Sequence, residues 1–184
     1  MRSKHTVVAI SVFALMLVVL ASAQDDKSKR PSPPGTADVT LNGKKVTIDY
    51  SRPSLKGRHV GQELAPFGKV WRTGANEATA LTTETDLDIG GTKVPAGKYT
   101  VYTLPSESGW KLIINKQTGQ WGTVYDEKQD LARIDMQKSQ TKAPVEQFTI
   151  SFDKKGADTA DLVMEWENTR LTVPVKAQSG SNPL

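Results

Sequence analysis

Apolar and polar positions alternate with a period of two along most of this chain, the pattern of half-buried β-strands. Val39-Thr40-Leu41-Asn42-Gly43-Lys44-Lys45-Val46 reads as a hairpin closed by Asn-Gly, a pair that accepts the two positive φ angles of a type I′ turn. A two-residue loop sets Val39 opposite Val46, and Ile48 and Tyr50 continue that face. Leu87–Ile89 and Thr92–Val94 flank Gly90-Gly91 in a second tight hairpin. Its register sets Leu87 against Val94 and Asp88 against Lys93, a favourable cross-strand pair. Short strands are expected at 70–72 and 79–83. Residues 98–104 and 110–116 form a further pair, with Tyr102 facing Leu112 and Val101 facing Ile113. Both faces of this pair are partly apolar, so it belongs at the centre, covered on both sides. Residues 121–125 and 131–136 are additional strands, separated by the charged stretch 126–130.

The C-terminal part carries the clearest alternation. Phe148, Ile150 and Phe152 form one apolar series, Leu162, Met164 and Trp166 a second, and Leu171, Val173 and Val175 a third. A hairpin closed at Asn168-Thr169 sets Trp166 against Leu171, Met164 against Val173 and Leu162 against Val175. Every pair then agrees on which side is inside. Pro174 cannot donate to a ladder, so this last strand is expected at an edge or to end there. About ten short strands at this spacing predict an all-β antiparallel β-sandwich or jelly roll, with a single closed barrel as the alternative.

The N-terminus departs from this pattern. Arg2, Lys4 and His5 precede an apolar run over 7–20 broken only by Ser11, and Ala21-Ser22-Ala23 fits the small-x-small cleavage rule. The run is shorter than the roughly 20 residues a bilayer requires. Residues 1–23 are therefore read as a signal peptide, and the protein as periplasmic or secreted with no membrane span after cleavage. Cleavage leaves 22 Lys and Arg against 20 Asp and Glu, which lowers the formal net charge from +4 to +2. With no basic block or aromatic-interleaved stripe, nucleic acid is not an expected partner. Residues 24–37, rich in Lys, Ser and Pro, read as a flexible tether, and 178–184 as a similar tail. One β-rich domain is expected over 38–177. The chain has no cysteine, which excludes a disulfide framework, a thiol nucleophile and a lipid anchor on cysteine.

Several stretches share a resemblance. They are Arg52-Pro53-Ser54 with Lys56-Gly57-Arg58, the run from Gly68-Lys69-Val70 through Trp71-Arg72-Thr73-Gly74-Ala75-Asn76-Glu77-Ala78-Thr79, then Pro95-Ala96-Gly97-Lys98-Tyr99, Trp110 to Asn115, and Trp121-Gly122. Together they resemble an uncharacterised family of exported bacterial proteins, a domain of unknown function. The resemblance runs from about Val46 to Val175. It implies a β-rich extracytoplasmic domain and supplies no catalytic residues.

The central stretch concentrates the candidate chemistry. Arg52, Arg58 and Arg72 suit a cradle for a carboxylate, sulfate or phosphate, because guanidinium meets such groups bidentately. The structural alternative pairs Arg72 with Glu77 and sets the loop arginines on carbonyls. Trp71, Trp110 and Trp121 beside Asn76 and Asn115 would suit a sugar, although tryptophans of this kind are more often core. Gly74, Ala75 and Ala78 leave room beside the charges, so Arg52, Arg72, Asn76 and Glu77 are expected to converge on one concave polar surface.

Other chemistry is thinly represented. A Ser-His-Asp arrangement would need His59 with Ser51 or Ser54, and no Gly-x-Ser-x-Gly elbow exists. A carboxylate pair of Glu77 with Asp49 or Asp126 would suit a glycosidase only at the right separation. No zinc or EF-hand spacing is present, Asp86 and Asp88 read as solvated charge, and no cofactor is expected. The sequence thus points to a non-catalytic binding module for a glycan or small anionic ligand. An envelope hydrolase using Glu77 and a structural envelope protein are the alternatives. Glu77 discriminates: it lies open in a cleft, or it is locked to an arginine. N-terminal sequencing of exported material should find Gln24 first; Met1 retained in a membrane fraction would refute the signal reading.

Overall fold

Among residues 26–178, which the computed structural model describes, nine strands follow one another. They are β1 (Pro34–Leu41), β2 (Lys44–Ser51), β3 (Ala80–Thr83), β4 (Leu87–Ile89), β5 (Thr92–Val94), β6 (Gly97–Leu104), β7 (Trp110–Asn115), β8 (Asp130–Lys154) and β9 (Thr159–Ala177). All belong to one sheet in the order β1-β2-β3-β6-β7-β8-β9-β4-β5, and every pairing is antiparallel. The fold is therefore all-β and antiparallel. The long strands β8 and β9 carry the sheet round on itself. Val46, Leu81 and Val101 from β2, β3 and β6 thereby share one core with Leu87, Leu162 and Val175 from β4 and β9. The signal peptide expected over 1–23 and the tail beyond Gln178 lie outside the described residues.

The two tight hairpins form with the registers expected of their turns. Val39 faces Val46, and both Asn42 (φ 49°) and Gly43 (φ 75°) take left-handed angles. Leu87 faces Val94 and Asp88 faces Lys93. The Asp88 carboxylate is used in the turn itself, where it accepts the Gly91 N–H at 2.7 Å. Strand β1 begins at Pro34, inside the segment read as a tether. Residues just before it are also held: the Arg52 N–H donates to the Pro33 carbonyl at 2.8 Å. Composition alone missed this, because backbone pairing with β2 stabilises a stretch whose side chains bury little.

Strands β6 and β7 are central, and Val101, Tyr102, Leu112, Ile113 and Ile114 are all buried. Their register is one residue away from the expected one: Tyr102 faces Ile113 and Val101 faces Ile114. With both faces buried, apolar patterning cannot distinguish the two registers.

Two further corrections concern the C-terminal half. The expected strand at 121–125 is reduced to a single bridge between Glu77 and Trp121. The hairpin expected at Asn168-Thr169 does not exist, because both residues lie within β9. The partner of β9 is β8: Leu162 faces Phe152, Met164 faces Ile150, and Leu171 faces Lys138 rather than Trp166. Residues 131–136 and 148–152, read as separate strands, are parts of the one strand β8.

The inward series of β9 switches from even positions (Leu162, Met164, Trp166) to odd ones (Leu171, Val173, Val175). A two-residue hairpin produces that switch, and so does an irregularity within one strand. Here the second applies. Glu167 takes φ 52°, and the register with β8 shifts on either side of the Val145–Glu167 pair. Pro174 is accommodated in an internal strand, next to where pairing with β8 ends and pairing with β4 begins; its carbonyl accepts the Gly90 N–H at 2.9 Å.

Trp166 is buried, as its alternation requires, but against other neighbours than expected. Its ring stacks on Trp71 (centroids 5.3 Å apart, 19° between planes) and tilts against Phe148 at 5.5 Å. Trp166→Ala should lower the unfolding free energy by about 3–5 kcal/mol in a denaturant titration. A loss under about 1 kcal/mol would show that the ring is not part of the core.

Candidate functional site

The segment that carries the candidate chemistry is expelled from the sheet. Trp71 pairs with Thr103 of β6 through two hydrogen bonds of 2.8 and 3.0 Å. The next contact along the same edge of β6 is the Val101 N–H to the Thr79 carbonyl, at 2.8 Å. Residues 72–78 must leave and return while their partner strand advances only from Thr103 to Val101. The excursion is tight. Thr73 (φ 53°) and Asn76 (φ 59°) both adopt left-handed backbone, unusual for a β-branched residue in particular. Internal bonds hold the strain: the Thr79 hydroxyl donates to the Thr73 carbonyl at 2.7 Å, and Thr73 itself is fully buried. Gly74 must be glycine. A Cβ there would lie 2.9 Å from the Ser51 carbonyl oxygen, at φ 150°.

This excursion forms part of the wall of a cavity of about 470 Å³. Arg58, Trp71 and Arg72 line it together. Arg72 is partly buried, and among the described residues its guanidinium has no hydrogen-bond or ion-pair partner. Desolvation alone pulls its pKa down. Its stem lies against Gly122, where a Cβ would sit 2.8 Å from Arg72 Cδ and 2.9 Å from the Asn76 carbonyl oxygen. The pairing of Arg72 with Glu77, the structural alternative to a binding role, does not occur. Arg58 is tied to the loop by donation to the Leu55 (3.1 Å) and Ser54 (3.0 Å) carbonyls and makes no ion pair among the described residues.

The other sequence candidates lie elsewhere, so Arg52, Arg72, Asn76 and Glu77 do not converge on one surface. Arg52 donates to the Phe148 carbonyl (3.2 Å) and the Thr149 hydroxyl (2.8 Å), fastening the end of β2 to β8. Asn76 donates to the Ser32 carbonyl at 3.1 Å. Asn115 is fully buried and donates to the Asp126 carbonyl and to Asp130, both at 2.9 Å. Trp121 is 48% exposed and does not line the cavity. Trp110 packs edge-on against Trp71 within the core, with ring centroids 6.1 Å apart.

Glu77 answers the question the sequence posed: it is locked to an arginine, and the arginine is Arg30. Arg30 Nη1 lies 3.0 Å from both carboxylate oxygens, and Lys27 Nζ lies 3.0 Å from one of them. Its own backbone N–H, then Lys27 and Arg30, hold its pKa down at about 2. A carboxylate so strongly ionised is a poor general acid. Tether residues thus provide the counter-charges, which a reading confined to 38–177 could not supply.

His59 is a loop residue on the surface, and its Nδ1 lies 2.7 Å from Glu167 Oε1. The other Glu167 oxygen accepts the Val60 N–H at 2.9 Å. The irregularity in β9 therefore presents the carboxylate that anchors the 59–66 loop, and Leu64, Ala65 and Pro66 of that loop line the cavity. Trp166, Tyr102 and Tyr125 also contribute to the wall. Sequence reasoning placed Trp166 in the core and had no signal for the two tyrosines. Gly122 had one, since Trp121-Gly122 belongs to the family-like motifs. Among the described residues no group of three or more His, Asp or Glu is placed to hold a metal ion.

A family model described as "Protein of unknown function (DUF2911)" matches residues 32–175. No curated protein and no solved structure gives a significant match.

The Glu77 contacts generate a pH prediction. Because folding lowers this pKa from an ordinary 4.5 to about 2, its pairing stabilises the fold above pH 4.5 and is lost as pH falls towards 2. Glu77→Gln should therefore lower Tm at neutral pH, by a modest amount since the side chain is 41% exposed. The gap to wild type should close as pH approaches 2. A gap that persists unchanged at the acid end would assign the effect to something other than the charge.

Proposed function

The chain belongs to this family of proteins of unknown function, and we propose that it is an exported, non-catalytic binding module whose cavity takes a small anionic ligand on Arg72. One observation carries the reading: a partly desolvated guanidinium with no partner among the described residues lines a cavity large enough for a small molecule. Removing a cation from water without pairing it is unfavourable, so a ligand anion regains an interaction the fold itself leaves unmade. The strained turn at Thr73 and the slot at Gly122 hold the arginine in place before the ligand arrives, which reduces the entropy lost on binding.

The alternatives draw less support. A hydrolase using Glu77 would rely on a carboxylate clamped between Lys27 and Arg30. A glycan platform would rely on Trp121, which stands apart from the cavity. Export rests on the N-terminal pattern, which fits a domain stabilised by core packing without cysteine.

Arg72→Met tests the binding role against a structural one. An arginine that binds ligand and supports no fold contact should be removable with Tm unchanged or raised, because its desolvation is relieved. Calorimetric titration with small carboxylates and inorganic phosphate should then show binding to the wild type and none to the variant. Gly122→Ala should weaken binding with every charge retained, by displacing the arginine stem. A fall in Tm of Arg72→Met as large as that of a core truncation, or anion binding that survives the change, would refute the role.

A further inference from the structure

Resting on the anion-binding reading, we infer that the ligand class is an aromatic monocarboxylate: one negative charge on Arg72, and a flat apolar body against the aromatic wall. Two aromatic pairs line the cavity. Trp71 stacks on Trp166 at 5.3 Å, and Tyr102 meets Tyr125 edge-on at 4.8 Å. Three of these rings have their polar ends engaged away from a ligand. Trp166 Nε1 donates to the Glu146 carbonyl at 3.2 Å, the Tyr102 hydroxyl to the Val124 carbonyl at 2.6 Å, and the Tyr125 hydroxyl to Asp130 at 2.6 Å. Trp166 and Tyr102 are buried behind the wall, and the ring surface open to the cavity is that of the partly exposed Trp71 and Tyr125. Leu64, Ala65 and Val70 add aliphatic surface.

The charge balance limits the anion. Among the described residues Arg72 has no partner, whereas the guanidinium of Arg58 donates to the Leu55 and Ser54 carbonyls, which orient it but leave it charged. Glu63 also lines the cavity, and the His59 N–H and nearby Arg58 favour its ionised form. Arg58 and Arg72 against Glu63 leave the wall one net positive charge, which suits a single carboxylate that Arg72 can receive through two parallel N–H bonds. A dianion would bring a second negative charge into a cavity that Glu63 also lines, where the two repel. Lodging an apolar body on the rings and a carboxylate on the arginine uses both features of the cavity at once.

The experiment is a calorimetric titration of the wild-type protein and Arg72→Met with four probes: indole-3-acetate, its neutral amide indole-3-acetamide, acetate and inorganic phosphate. Indole-3-acetate should bind at least about tenfold more tightly than each of the other three, a preference of about 1.4 kcal/mol. In Arg72→Met the acid should fall to the level of the amide. Acetate or phosphate binding as tightly as the indole acid, with dependence on Arg72, would overturn the aromatic ligand while leaving the anion site standing. Equal binding of acid and amide to the wild type would overturn the anion site itself. No binding of any probe would overturn both.

Discussion

The candidate site depends on a mismatch of backbone lengths. Trp71 and Thr79 are both held to β6, by hydrogen bonds to Thr103 and Val101, and the chain between them is far longer than the gap it spans. The surplus cannot lie flat along the sheet. It turns outward through two left-handed non-glycine residues, at the kind of positions where backbone strain is tolerated only when the surroundings enforce it. What enforces it is visible: the buried Thr73, the Thr79 hydroxyl on its carbonyl, and a short ribbon in which Gly122 N–H meets the Asn76 carbonyl and Ala78 N–H meets the Gln120 carbonyl. The motif is therefore an excursion cross-linked by hydrogen bonds, with residues 73–75 buried. Its two sides serve different ends: Arg72 lines the cavity, while Glu77 binds Lys27 and Arg30 of the N-terminal segment.

Electrostatics separate the arginines by role. Arg52 and Arg58 donate to backbone carbonyls, Arg30 pairs with Glu77, and Arg170 bridges Glu165 and Asp153 at 2.6 and 2.7 Å. Arg58 braces its own loop, the others join more distant positions, and each has a structural explanation. Among the described residues Arg72 has no such contact. A partly buried guanidinium with no protein contact is the feature on which the proposed anion site rests. The second wall of the cavity follows from β9. The left-handed Glu167 changes which positions face inward and at the same point presents the carboxylate that holds His59 and Val60. One local irregularity thus sets both the core register and the cavity rim.

The sequence by itself determined whatever depends on neighbours along the chain. Asn42-Gly43 and Gly90-Gly91 specified their hairpins to the residue, because a two-residue turn with positive φ leaves one register. Period-two alternation specified the all-β class, the central place of β6 and β7, and the burial of Trp166. The composition of 71–79 identified an unusual stretch, and it does form part of the cavity wall. The tertiary structure alone decided what depends on partners distant in sequence. The inward switch in β9 fits a hairpin and a kink equally well, and only pairing with β8 chooses. A doubly buried pair such as β6 and β7 has no polar face to report a slip of one residue. Glu77 has an arginine partner, but the residue lies in a segment whose composition reads as tether. Nothing in the spacing of Trp166, Tyr102 and Arg72 brings them to one cavity; the turning of a single sheet on itself does.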